Sequence, residues 1–415
     1  MNNTLKITFF GLFLFVTIIF SYIFSEDTLG GAKNDYLFHE KFIVLFASDF
    51  FETFKNYGQG DLYARNSPIF YIILSFLHKI GINLENIRYL NIVSIPIICY
   101  LFYECLIIKF KKIDTDLLKF FALVIFLSPT IRSLIIWPYP ILYAFIFFLL
   151  TLKFFLKFSK ERNCKLTNAL KCTFFYAVTS YITPNFCVFA IFFIYKFYLE
   201  FKSSKEIKYI LIFNFFLALP AFFYYYKFDF YIFNYSVYEV NNLVKYNIFN
   251  RILVITSLIF FYFLPFLKIN IVQKFLNELK NLKNNYLIYM LAFICIYFFN
   301  LPEGFGGGIF YHASLKLFSN NYFLFLIFFI SLLIFKSADL FNINNIIIFI
   351  CLILYNLQIS IYHKYFDPLL LFILLFLLSY NKKILKIDIF KLAKNYYYLY
   401  LFFLGISFYK VIFLI

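Results

Sequence analysis

Charge is scarce in this chain, and so are glycine, methionine and tryptophan. Only 14% of its 415 residues are Asp, Glu, Lys or Arg, whereas 63% are hydrophobic and 26% aromatic. A water-soluble domain of this length could not hide so much apolar surface, so a soluble globular fold is excluded and lipid is the solvent that fits. Long strict alternation of polar and apolar residues is absent, which excludes a transmembrane barrel. Metal motifs of the HExxH or CxxC kind are absent too, and the seven cysteines (Cys99, Cys105, Cys164, Cys172, Cys187, Cys295 and Cys351) sit in or beside apolar runs as small hydrophobes. No linker and no internal repeat divides the sequence. One domain over residues 1–415 is expected, without a soluble C-terminal domain.

What is present is a series of apolar runs. Read as an all-α polytopic bundle, they give about 13 spans. These are 5–25, 89–108, 117–136, 139–157, 168–183, 185–201, 208–226, 251–268, 285–301, 321–336, 343–361, 367–381 and 395–413. The first is too long for the core of a cleaved signal peptide and lacks a small-residue cleavage site, so it reads as an uncleaved helix. Residues 68–80 are apolar but short and end in His78-Lys79; they read as an interfacial helix. With a cytoplasmic N-terminus, alternation then puts about two thirds of the 38 Lys and Arg on the cytoplasmic side. The net charge of +17 is thus a topology signal, and nucleic acid is not needed to explain it. The expected location is the cell's inner (cytoplasmic) membrane, multi-pass, with chemistry on the extracytoplasmic side.

The largest extracytoplasmic loop is 26–88. From Tyr36 to Tyr57 it reads as an amphipathic helix, with Asp35 at its start and His39 one turn on. Asp61 lies in a Gly58-Gln59-Gly60-Asp61 turn, and Arg65 precedes Ser67-Pro68. A second outside turn carries Arg132 and Trp137. A glycine-rich loop, Pro302 to His312, reads as a flexible cover over a site, with Glu303 or His312 facing it; it lacks the GK[ST] ending of a phosphate-binding loop. Late in the chain, Tyr362-His363-Lys364-Tyr365-Phe366-Asp367-Pro368 joins two spans. Its Lys, His and Tyr suit a lipid phosphate, as do Arg65 and Arg132.

In order, a first span, the acidic loop Asn34-Asp35, the segment Asn66-Ser67-Pro68-Ile69-Phe70-Tyr71 and a late Lys364-Tyr365 before Pro368 resemble the GT-C superfamily of polytopic glycosyltransferases, which includes protein O-mannosyltransferases and the lipid A aminoarabinose transferase. The resemblance implies transfer of a sugar from a polyprenyl-phosphate donor to an extracytoplasmic glycan, lipid or protein acceptor. It maps the family's first-loop aspartate onto Asp35. The chain departs from the family where adjacent acids become Asn34-Asp35 and a double proline becomes Ser67-Pro68. In this reading Asp35 is the base of an inverting transfer. Lys364, Arg65, His363, Tyr365 and Arg132 hold the lipid phosphate, and His39, Asp61, Glu303 and His312 are acceptor-side candidates. Phosphate is already a good leaving group, so no cofactor or metal is called for. Two other classes fit less well: an O-antigen polymerase or ligase, which favours an arginine-rich later loop, and a transporter or flippase, which favours mid-membrane charge and repeat symmetry.

Overall fold

Every regular element among the described residues is helical, apart from one isolated bridge between Gly306 and Ile361. The computed structural model describes residues 3–27, 31–58, 62, 67–202, 204–228, 247–281, 283–380 and 388–413. Two compact units result: Met1–Tyr231 with Ile389–Ile415, and Ile232–Asp388.

Among the described residues, six helices are long and apolar enough to cross a membrane: Thr4–Ile23, Leu84–Lys109, Pro140–Lys160, Pro184–Phe201, Lys205–Phe223 and Ile248–Phe266. A seventh results if the pair Thr115–Leu127 and Pro129–Ile136, bent by 63°, is counted as one. Pro68–Lys79, Tyr286–Tyr297, Tyr322–Ser337 and Ile343–Leu354 are shorter apolar helices.

In the first unit, α1 (Asn3–Ile23) leads to α2 (Ala32–Ser48) and α3 (Phe50–Asn56). The single amphipathic helix expected over 36–57 is therefore two. The break is Asp49, which leaves the helical region and accepts the Glu52 N–H at 3.0 Å, capping α3. Next come α4 (Pro68–Lys79), begun by a Ser67 cap and Pro68, then α5 (Leu84–Ile92) and α6 (Ser94–Lys109). Phe42, Phe46, Tyr57, Phe70, Tyr71, Leu74 and Ile87 bury a core of their own between these short helices. At about 1.5–3 kcal/mol for each fully buried large side chain, this core makes the first loop a packed body rather than a connector.

The expected span 117–136 is broken into α7 (Thr115–Ala122), a 3₁₀ turn and α8 (Pro129–Ile136). Pro129 removes an N–H and pushes Ser128 out of the helical region, while the Ser128 hydroxyl accepts the Ile131 N–H at 3.1 Å and starts a new helix. All eight residues of α8 are buried, including Arg132. The rest of this unit is α9 (Pro140–Lys160), α10 (Lys165–Ile182), α11 (Ala190–Phe201) and α12 (Lys205–Phe228).

The second unit is built around α13 (Ile248–Phe263), buried along almost its whole length. It continues through α14 (Ile269–Lys280), α15 (Tyr286–Tyr297), α16 (Gly308–Phe318), α17 (Tyr322–Ser337), α18 (Ile343–Leu354) and α19 (Leu369–Phe376). Of these, α15 to α19 pack on α13, and α14 packs on α17. The span expected over 343–361 ends early, at Leu354. There the buried Arg251 guanidinium collects the carbonyls of Ile353, Tyr355 and Gln358 at 2.8, 2.5 and 3.0 Å, an arrangement that satisfies helix-end acceptors with a cation. The last helix, α20 (Ile389–Phe413), belongs to the first unit.

Candidate functional site

Two polar clusters stand out from the apolar background, one within each unit. The first begins where α1 ends. Glu26 and Asp27 are adjacent acids, and each is committed to a different neighbour. Arg132 Nη2 and Nε donate to the two Glu26 carboxylate oxygens at 2.9 and 3.2 Å. Both side chains are nearly buried, at 5% and 6% exposure. The remaining guanidinium hydrogens reach α1: Nη1 donates to the Thr17 hydroxyl at 3.0 Å, and Nη2 also reaches Ser21. A charge in such surroundings is tolerable because each of the three guanidinium nitrogens has an acceptor and the carboxylate answers the charge.

Asp27 takes the other direction. Its carboxylate accepts the Gly31 and Ala32 N–H groups at 2.9 and 3.1 Å, which satisfies orphan donors at the start of α2. The Ser133 hydroxyl donates to it at 3.3 Å. The acid pair thus joins the end of α1, the start of α2 and the middle of α8. α8 is braced from the opposite side as well. The Asn91 amide donates to the carbonyls of Leu134 and Ile135 at 2.9 and 2.6 Å, and Arg88 Nε donates to Ile136 at 3.1 Å. Trp137, just past α8, donates its indole N–H to the Glu26 carbonyl at 3.0 Å and carries the Arg88 guanidinium over its ring at 4.1 Å.

Asp35 lies in the first turn of α2, half-buried, with its N–H bonded to the Gly31 carbonyl at 2.9 Å. Because Asp27 caps this turn, Asp35 is not needed as the cap. His39, one turn on, is buried at 2% exposure, with Nδ1 2.9 Å from the Tyr71 hydroxyl and Tyr139 packed edge-on to the ring. It therefore forms part of the loop's aromatic core. Tyr36 is buried beside Trp137, and its hydroxyl has no hydrogen-bond partner among the described residues. Burial, reinforced by the nearby Glu40 charge, pushes its phenol well above the ordinary tyrosine value. Next to Glu26 and Arg132 a cavity of about 390 Å³ opens, lined otherwise by Thr17, Phe20, Ser21, Phe24 and Phe408. Asp61 and Arg65 lie outside the described residues.

The second cluster joins the glycine-rich loop to the late motif. Gly307 N–H donates to the Ile361 carbonyl at 2.9 Å, and Ile361 N–H donates to Phe305 at 2.8 Å. The loop expected to be a flexible cover is strapped down instead. Gly306 requires its missing side chain, since a Cβ there would sit 2.4 Å from the Ile361 oxygen. Beyond the strap, the Tyr262 hydroxyl donates to Asp367 Oδ1 at 2.8 Å and lies 2.9 Å from His363 Nε2. With the one phenolic proton directed at the carboxylate, His363 Nε2 is the donor to Tyr262. The Lys364 ammonium sits over both Tyr362 and Tyr365, 5.7 Å from each ring centre. Glu303 is exposed at the loop's start and His312 half-buried on α16. The Tyr311 phenol, beside His312 in the chain, is raised by burial and by the Glu303 charge.

His363, Lys364 and Tyr365 are therefore brought together with the 302–312 loop, through the strap at Ile361 and the Tyr362 hydroxyl, which donates to the Gly304 carbonyl at 3.3 Å. Arg132 is drawn into the acid pair. Among the described residues no group of three His, Cys, Asp or Glu could hold a metal ion. Comparison with protein-family models, curated proteins and solved structures finds no match to this chain.

Several residues escaped the sequence reading. Glu26 and Asp27 carried a signal: adjacent acids directly after the first apolar run and just before Gly30-Gly31. Tyr262 and Arg251 lay in what reads as an ordinary span, and nothing local marks them.

Proposed function

We propose that this chain is a polytopic membrane glycosyltransferase. It would move a sugar from a polyprenyl-phosphate donor to a glycan, lipid or protein acceptor on the extracytoplasmic side of the inner membrane, with its N-terminus in the cytoplasm. About 13 passages remain the proposed topology, with α10, α15, α17, α18, α19 and α20 added to the seven, and Pro68–Lys79 kept at the interface.

One observation carries the reading more than any other. The first apolar helix passes directly into a packed amphipathic segment whose opening turn bears Asp35, and Glu26-Asp27 lock that turn to α8. A carboxylate held on a braced helix suits a base that must meet a hydroxyl within hydrogen-bond reach. A connector between two spans has no need of such bracing.

In the proposed reaction Asp35 accepts the proton of the acceptor hydroxyl as that oxygen attacks the anomeric carbon. The new C–O bond forms on the face opposite the leaving group, so the configuration inverts. The old bond to the phosphate oxygen breaks, and the lipid phosphate leaves with the electron pair. Lys364, His363 and Arg65 are assigned to the developing phosphate charge, with Tyr365 as a further donor. His39, Asp61, Glu303 and His312 are assigned to the acceptor side.

The test is a panel of polyprenyl-phosphate sugars offered to the full chain in proteoliposomes, with release of free polyprenyl phosphate as the readout. Release from at least one donor supports the proposal. Silence across the panel with a range of glycan, lipid and peptide acceptors would remove it.

A further inference from the structure

Helix α14 (Ile269–Lys280) plays no part in the proposed reaction, yet its three faces are sharply different. One face is packed: Ile271 is buried, and Phe275 and Glu278 are half-buried. Glu278 pairs with Lys336 of α17 at 3.2 Å, and Asn285 donates to the Glu278 carbonyl at 2.7 Å. These contacts fix the helix against rolling. A second face is an apolar stripe left open at three- and four-residue spacing: Ile269 (71% exposed), Val272 (39%), Leu276 (50%) and Leu279 (37%). The third face is polar, with Asn270, Gln273, Lys274, Asn277 and Lys280 exposed.

The charge on the open side has one sign. Lys268, Lys274, Lys280 and Lys283 fall within this segment, and its one acid, Glu278, is turned inward to Lys336. At 12 residues α14 is about 18 Å long, too short to cross a hydrocarbon core of about 30 Å. It also connects two apolar helices, α13 and α15.

We propose that α14 lies flat on an anionic phospholipid surface, its apolar stripe in the acyl boundary and its lysines at the lipid phosphates. A second copy of the chain or another protein could cover an apolar stripe too. Around the stripe the charged groups are lysines, the one acid being turned inward, and that single sign of charge is what selects anionic lipid. The inference rests on the membrane reading of the chain and is independent of sugar transfer.

The test uses the full chain in nanodiscs carrying brominated phospholipids, with the parent protein's emission subtracted. Leu276→Trp reports on α14, and Phe216→Trp, exposed on the long apolar helix α12, reports on the membrane reading itself. The expected result is quenching of Leu276→Trp chiefly by bromines near the headgroup, and of Phe216→Trp chiefly by bromines near the chain end. Brominated phosphatidylglycerol should quench Leu276→Trp roughly two-fold more than brominated phosphatidylcholine at equal mole fraction. Adding Lys274→Gln, Lys280→Gln and Lys283→Gln should abolish that preference. An unquenched Leu276→Trp beside a quenched Phe216→Trp overturns the proposal and points to a protein partner or water at this face. Equal quenching by the two headgroups overturns the anionic-lipid assignment. An unquenched Phe216→Trp overturns the membrane reading and this inference with it.

Discussion

Removing the Glu26 carboxylate should be among the most damaging single changes in the first unit. Glu26→Ala leaves the Arg132 guanidinium buried at 5% exposure with Thr17 and Ser21 of α1 as its remaining partners. Solvent screening cannot soften that loss, because neither partner is exposed. Breaking a buried pair by deleting one member costs about 3–5 kcal/mol, and the surviving hydroxyl contacts put this case near the lower end. A loss of about 3 kcal/mol is a little over two orders of magnitude in the folding equilibrium. Glu26→Gln keeps one acceptor and should cost less, about 1.5–3 kcal/mol. The informative variant is the double replacement Glu26→Leu with Arg132→Met. It removes both charges, while Thr17 and Ser21 keep their bonds to the Leu14 and Thr17 carbonyls at 2.6 and 2.8 Å. It should therefore recover most of the loss. The assay is a denaturant titration in mixed micelles, followed by emission of Trp137, the one tryptophan in the chain. Its indole bonds the Glu26 backbone carbonyl, a contact that every one of these substitutions preserves. A cost below about 1 kcal/mol for Glu26→Ala, the value of an exposed pair, would refute the reasoning.

Three further outcomes follow from the geometry. Gly306→Ala should cost about 2 kcal/mol or more, because the added carbon meets the Ile361 carbonyl at 2.4 Å, whereas Gly304→Ala, with open space but a φ of +89°, should cost about 1 kcal/mol; thermal melting of the two side by side checks this. Tyr262→Phe removes a donor from the fully buried Asp367 carboxylate and should cost about 1–3 kcal/mol, again read by melting, with Tyr365→Phe as a comparison. Tyr36→Phe should be neutral or mildly stabilising, since it deletes a buried hydroxyl with no hydrogen-bond partner among the described residues. Because the folded state raises the Tyr36 phenol, its contribution holds below the ordinary tyrosine value of about 10 and is lost as pH rises above it. Alkaline destabilisation should accordingly be weaker in Tyr36→Phe, as pH-dependent melting would record.

Helical character and the membrane-length runs were legible because composition and run length depend on nothing distant. The short helix at Pro68–Lys79 was legible for the same reason, with Ser67-Pro68 marking its start. The breaks at Asp49 and Ser128-Pro129 were written locally, but hydrophobic periodicity averages over one capping residue. Contacts across the chain were another matter. Glu26 and Arg132 are 106 positions apart, and Tyr262 and Asp367 are 105 apart. Which acid meets which donor is decided by packing that no local pattern encodes. The glycine-rich loop shows both sides. Its glycine content announced unusual backbone angles, and Gly304, Gly306, Gly307 and Gly308 all have positive φ. That this backbone would be pinned to Ile361 depended on a partner more than fifty residues away.

The most direct test of the central claim compares the full chain with Asp35→Asn in proteoliposomes supplied with the polyprenyl-phosphate sugar that the wild type uses. Removing the carboxylate's basicity while keeping its shape should reduce release of polyprenyl phosphate by at least about a hundred-fold, with Trp137 emission and melting unchanged. Turnover by Asp35→Asn at the wild-type rate would contradict the account.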